Sequence, residues 1–288
     1  MKKLLTLVFV ITATMIAGDA FGQIEMPLPS PGATIMQDVG LSQVTVEYSR
    51  PGAKDRAIFG ELVPYGEVWR TGANSSTKIE FSEDVNFGGM EVPAGRYALL
   101  SIPNEGEWTI ILNSDLESNI GGYDEANDFG RIEVGSEIME AMFETFTIEF
   151  SHLTDNGAHM DIIWENTHVA IPITTDTDSK VMAMIEDQIV EGNGSDLGAR
   201  DYANAADFYH KKGENLEQAV EWMDKAVEMS PEAFWYMHRY AKLLADAGHK
   251  DKAIEMATKS MEMAENNEGG DYGYVQRNKD LLSELGAK

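Results

Sequence analysis

Apolar and polar residues alternate through much of the chain between Gln43 and Ile173. Val44, Val46 and Tyr48 share one side of the alternation, and Thr45 and Glu47 share the other. The same period of two returns at Ile79 and Phe81, at Trp108, Ile110 and Leu112, and at Phe146, Ile148 and Phe150. It returns again at Met160, Ile162 and Trp164, and at Val169, Ile171 and Ile173. Successive side chains of a strand point to opposite faces, so each run predicts a short strand with one wet face. Gly88-Gly89, Pro103–Gly106 and Asp155–Gly157 supply turns between the runs. A parallel sheet covered on both faces would not alternate in this way. Residues 23–173 are therefore expected to form an antiparallel β-sandwich or barrel-like domain.

The period changes at Thr174. Thr175–Asp178 form a polar joint with N-cap candidates. Val181, Ile185 and Ile189 then recur every four residues, as on one helical face, until Gly192, Gly194 and Ser195 end the run. Residues 174–198 read as a linker and a helix, and residues 199–288 as an α-helical repeat domain. Ala219, Ala226 and Pro231 are spaced as in a tetratricopeptide repeat, with Tyr202, Ala205, Ala206 and Tyr209 on the helix before them. A second copy carries Gly248, Ala253 and Ser260, preceded by Met237, Tyr240, Ala241 and Leu244. Ala219 and Ala253 are 34 residues apart, the period of that repeat. The second copy lacks the proline, and the first holds one extra residue between Gly213 and Ala219. A last helix with Val275, Leu281, Leu282 and Leu285 would cap the stack. Two copies are fewer than the roughly three that bury a continuous core. The stack is expected to lean on the preceding helix, on the β-domain, or on a protein partner.

The N-terminus changes the picture of where the chain works. Lys2 and Lys3 precede a mostly apolar run from Leu4 to Ala17, and Ala20 and Gly22 stand before Gln23. This is the pattern of a signal peptide cleaved between Gly22 and Gln23, with export to the periplasm or beyond. The run is too short to be read as a membrane anchor, and no other stretch is apolar enough to be a transmembrane segment. The chain has no cysteine, so stability is expected to come from packing without disulfides. Lysine and arginine number 22 against 49 aspartates and glutamates, a net charge of −27. Such a charge excludes nucleic acid and anionic membranes as partners.

Charge also singles out one segment. Residues 23–173 carry seven basic side chains, and five of them fall between residues 50 and 78: Arg50, Lys54, Arg56, Arg70 and Lys78. The segment from Ser49 to Asn74 alternates poorly yet holds Ile58, Phe59, Leu62, Val63, Tyr65 and Trp69. A long ordered connection of this kind is often functional. One reading is a site for a small anionic ligand built from Arg50, Lys54, Arg56, Arg70 and Asn74, with Tyr65 and Trp69 as a wall. The other is internal pairing with Asp55, Glu61 and Glu67 that holds the loop in shape. The acidic Gly121–Asp128 stretch lacks EF-hand spacing. His152, His159 and His168 lack the close spacing or cysteine partner usual at zinc. No metal, cofactor or catalytic residue is expected from these patterns.

The runs SRPGAKDRAIFGELVPYGEVWRTGAN, TKIEFS, VPAGRYALLSIP and EWTIILN resemble a family of exported bacterial proteins known as domain of unknown function 2911. The resemblance covers about residues 26–173. It implies a β-rich exported domain, often with a tetratricopeptide-like tail, and it implies no reaction. The expected function is a non-catalytic ligand- or protein-binding module with a helical protein-interaction tail. The alternatives are a hydrolase-like enzyme using Arg56, Arg70, Tyr65 and Glu67 on an anionic substrate, and a cell-envelope scaffold. Mass spectrometry of the native protein should find Gln23, free or cyclised, as the first residue. Recovery of intact Met1 from the mature soluble fraction would refute the cleavage.

Overall fold

The computed structural model describes residues 26–118 and 120–287. The expected signal peptide and its expected cleavage site lie outside these residues. The chain divides into two compact units that part between Thr177 and Asp178, and each is described by itself.

The first unit is an antiparallel sheet of nine strands. They are β1 (Gly32–Val39), β2 (Ser42–Ser49), β3 (Thr77–Phe81), β4 (Val85–Phe87), β5 (Met90–Val92), β6 (Gly95–Ile102), β7 (Glu107–Asn113), β8 (Asp128–Thr154) and β9 (Gly157–Thr174). Their order across the sheet is β1-β2-β3-β6-β7-β8-β9-β4-β5. β8 joins two layers: its start pairs with β7 as far as Gly135, and from Ser136 onward it pairs with β9. The sheet thus folds over around one core. The hydroxyl of Tyr48 on β2 donates to the carbonyl of Ile148 on β8 and accepts from its amide, at 3.1 Å each. The ring of Tyr48 meets Phe146 at 5.8 Å. β1 and β5 remain as edges, so of the two expected forms the structure is the open, folded sandwich.

Alternation explains most of this unit. Val44, Val46 and Tyr48, then Ile79 and Phe81, then Trp108, Ile110 and Leu112 all face the core. β6 departs from the rule, because Tyr97 through Ser101 are all buried. Tyr97 and Leu99 face the core, while Ala98 and Leu100 are buried on the opposite face of the layer. Where the sequence predicts three separate short strands, at Phe146–Phe150, Met160–Trp164 and Val169–Ile173, the structure has two long ones. β8 runs 27 residues and β9 runs 18. Register shifts between Ile138 and Phe143, and between Phe143 and Thr147, mark where the pair bends.

The connection between β2 and β3, residues 50–76, has no long element but is tied into the sheet. Trp69 exchanges two backbone hydrogen bonds with Ser101 of β6, at 2.7 and 2.9 Å. Its indole nitrogen donates to the carbonyl of Gly72. Its ring lies among Phe59, Trp108, Phe146 and Trp164, with centroids 6.0, 6.1, 5.3 and 6.0 Å away.

The second unit is helical. α1 (Thr177–Ile185) continues as a π-helical turn over Glu186–Val190. α2 (Ala199–Lys212) pairs with α3 (Leu216–Met229), α4 (Phe234–Asp246) pairs with α5 (Lys250–Glu265), and α6 (Tyr274–Glu284) follows. Gly213 closes α2 in the left-handed region at φ 68°, a conformation that favours glycine. The side chain of Asn215 caps α3. Ala205, Ala206, Ala219, Ala226 and Ala253 are buried, which lets the helices approach closely. Val181 and Ile185 of α1 and Ile189 of the π-helical turn pack on the same core, so this short stack has a helix of its own chain to lean on. A buried polar chain fixes α6: Asn278 accepts from Nδ1 of His238 at 2.8 Å and donates to Ser260 at 2.9 Å. Ser260 in turn donates to the carbonyl of Phe234. Among the described residues no helix is long and apolar enough to cross a membrane.

Removing the indole of Trp69 empties the centre of the aromatic cluster. Trp69→Ala should cost about 3–5 kcal/mol of stability in urea denaturation, the scale of a large core truncation. A loss below 1 kcal/mol would show that the loop does not depend on this anchor.

Candidate functional site

The seven residues singled out in the sequence have separate surroundings in the structure. Arg50 donates from Nε to the carbonyl of Phe146 at 3.1 Å and from Nη2 to the Thr147 hydroxyl at 2.8 Å. Arg56 donates to the carbonyls of Ala53 and Gly52, at 2.9 and 2.7 Å. Lys54 is exposed, and its backbone amide donates to the Glu144 carboxylate. Asn74 donates to the carbonyl of Ser30 and to the Ser49 hydroxyl. Trp69 is core. Arg70 follows it, and its buried Nε has no hydrogen-bond partner among the described residues. Tyr65 alone of the seven lines a cleft of the kind the sequence suggests. Of Arg56, Arg70, Tyr65 and Glu67, the group a hydrolytic reading would join, Arg56 is held on its two carbonyls and only Tyr65 lines the cleft.

That cleft has a volume of about 340 Å³ and opens where the loop meets one end of the sheet. The loop contributes Phe59 and Tyr65, the β6–β7 hairpin contributes Asn104, Glu105 and Gly106, and β7 contributes Trp108. Ser136 and Ile138 on β8 and Thr167 on β9 complete it. Two backbone bonds lock the parts together: Gly66 donates to the carbonyl of Pro103, and Ser136 donates to that of Gly106. Register does the rest, placing Ile138 opposite Thr167. The floor is aromatic. Phe59 meets Trp108 edge-on, with centroids 4.9 Å apart and planes at 62°, and Trp108 is only 1% exposed. Tyr65 is 41% exposed and Ile138 is 80% exposed, so apolar surface stands open at the mouth. No lysine or arginine lines the cleft; its one charged residue is Glu105.

A second, more polar cleft of about 440 Å³ lies on the outer face of β1–β3. Ser49, Ser76, Lys78, Arg96 and Glu47 are among its walls. Its cations are already engaged. Arg96 pairs with Glu47 at 2.7 Å, and the Lys78 ammonium donates to the hydroxyl and the carbonyl of Ser76. Burial pulls the Lys78 ammonium below the ordinary lysine value, against the charges of Glu117, Asp115 and Glu47, which raise it.

The weaker constellations resolve into local structure. Asp124 caps a short turn at Glu125–Asn127, and Asp128 binds Arg131 and the Tyr123 hydroxyl. Burial and the hydrogen bond to Asp128 push the Tyr123 phenol up to about 12. His168 pairs with Asp161 at 2.7 Å, and the rings of His152 and His159 lie 4.6 Å apart. Among the described residues no group of three or more histidine or acidic side chains could hold a metal ion.

The sequence reading counted Phe59 among the loop's apolar residues and took Asn104–Gly106 for a turn. It had no signal for Ser136 or Thr167. The one local hint was Ile138, an apolar residue between Glu137 and Glu140 in an acidic run.

No curated protein matches the chain. Two solved structures that overlap it are PcrH from Pseudomonas aeruginosa and PcrH in complex with the chaperone binding region of PopB. The first is 16% identical with a TM-score of 0.30, covering 40% of this chain and 95% of that one. The second is 16% identical with a TM-score of 0.29, covering 38% and 97%. Overlaps this loose carry no argument about function. The family match is on the β-rich unit: residues 30–173, half of the chain, match the family described as protein of unknown function (DUF2911), and the chain belongs to that family.

Proposed function

We propose that the protein is an exported, non-catalytic binding module whose β-rich unit takes a small uncharged polar ligand in the cleft beside Tyr65. The observation that carries this reading is the composition of the cleft. An aromatic floor, an exposed tyrosine wall and a rim of amide and hydroxyl side chains surround a space of about 340 Å³. Small-molecule sites combine apolar lining with a few placed polar groups in this manner. The rim is also free to act. No hydrogen bond of the Asn104, Ser136 or Thr167 side chain is found among the described residues, so each can turn to a ligand.

Charge favours a neutral ligand over the anion suggested by the cationic segment. Arg50 and Arg56 spend their donors on backbone carbonyls and a threonine. An anion entering the Tyr65 cleft would meet Glu105 and a chain of net charge −27. The helical unit is proposed as a protein-contact element. Trp235, Met229 and Tyr272 stand exposed on it, more apolar surface than its own packing uses.

A thermal-shift screen of the mature protein against small neutral metabolites tests the reading, since a ligand of the native state alone must raise stability. At least one should raise the melting temperature of the wild type and fail to raise that of Tyr65→Ala. A screen in which only anions shift the melting temperature would overturn it. Arg50→Ala separates structure from binding. It should lower stability by about 2 kcal/mol, the scale of charge-assisted hydrogen bonds, and leave the affinity of the cleft unchanged. Lost affinity at unchanged stability would return Arg50 to the binding site.

A further inference from the structure

Resting on the cleft reading above, we infer that the ligand is a neutral sugar ring, stacked on Tyr65 and hydrogen-bonded through its hydroxyls to the rim. A pyranose has two kinds of surface. One face presents C–H groups, which pack on an aromatic ring, while the equatorial hydroxyls point sideways and demand donors and acceptors. The cleft offers both kinds of surface. Tyr65 is the one aromatic ring of the cleft that is largely open, at 41% exposure. The ring edge lies close to Gly60, where an added Cβ would come within 2.9 Å of Cε2. A ligand therefore has one well-exposed aromatic ring to use.

Polar groups line the same cleft. Asn104 offers a carbonyl and an amide, Ser136 and Thr167 offer hydroxyls, and Glu105 offers two acceptor oxygens. A carboxylate can accept from two neighbouring hydroxyls of one ring at once, which suits a vicinal diol. The wall at Ile138 is apolar and 80% exposed, a partner for a C–H edge or for a second ring lying outside the mouth.

The same geometry disfavours the other ligands of aromatic sites. A flat nucleobase is best held in a slot between parallel rings. Here Phe59 and Trp108 meet at 62°, and Trp108 is covered. A quaternary ammonium would use the aromatic rings and Glu105 but would leave the hydroxyl and amide rim without hydrogen bonds. A sugar acid or sugar phosphate would set its charge beside Glu105 with no cation in the lining.

The test is ligand-observed NMR and intrinsic fluorescence on the mature chain, since Trp108 floors the cleft. The probes are neutral methyl glycosides and their oligosaccharides, glucuronate, choline and adenosine. A neutral sugar should bind saturably, with its C–H face receiving magnetisation from the protein. Tyr65→Ala should weaken that binding at least tenfold, and Asn104→Ala about tenfold with an unchanged melting temperature. Glucuronate should bind more weakly than the matching neutral glycoside. If choline or adenosine binds in a Tyr65-dependent way and no sugar does, the sugar assignment is overturned while the cleft remains a ligand site. If a sugar binds and Tyr65→Ala binds it equally, this site is wrong. If no probe binds, and the neutral-metabolite screen also shows no Tyr65-dependent shift, the cleft reading itself falls.

Discussion

Trp69 is the anchor on which the ordered end of the β-rich unit depends. The connection between β2 and β3 is long and lacks a ladder of its own, and a chain in that state is expensive to fix. Trp69 repays that cost twice. Its backbone borrows a place beside Ser101 on β6, and its ring closes a cluster drawn from the loop, β7, β8 and β9. Phe59 rides on that cluster, touching Trp69, Trp108 and Trp164 together. The floor of the cleft is thus an extension of the core, built by the same contacts that keep the loop in place.

A physical need explains why cations gather in this segment of an acidic chain. An irregular loop leaves carbonyls that no neighbouring strand can serve, and a buried carbonyl without a donor is costly. Arginine carries five donors on one rigid plane. Arg56 serves Gly52 and Ala53 within the loop, and Arg50 serves Phe146 across the fold. The partners are mainly carbonyls, where the sequence had suggested acidic side chains. Charge clustering in sequence therefore marks where the backbone lacks partners. It does not by itself mark where a ligand sits.

Much of the fold was legible because half-buried strands alternate. β2, β3, β7 and the two halves of β9 stand where the period of two places them. β6 was hidden because both of its faces are buried, so Tyr97–Ser101 show no alternation. The unity of β8 was hidden because its middle is acidic, exposed and broken in register. For the site, apolar weight in a poorly alternating loop drew attention to Tyr65, which lines the cleft, but the directions of its neighbours were not readable. Trp69 is tied to the sheet by one bridge to Ser101 and lies in the core. Asn104, Ser136 and Thr167 reach the cleft through pairings that span much of the unit. No local pattern encodes such long-range register.

The cleft is preformed, and Gly60 shows how. Three of its walls are strands or a hairpin tied to strands, so a ligand need not order them on arrival, which removes a common cost of binding. Tyr65 is the exception, since it stands on the loop and is substantially exposed. It lies close to Gly60, whose φ of 88° is a conformation that L side chains rarely adopt. A side chain there would both strain the backbone and press on the Tyr65 ring. The glycine thus does two things with one missing atom: it lets the loop turn, and it leaves room for the ring that walls the cleft. The turn that shapes the loop and the surface that would meet a ligand are consequently one constraint.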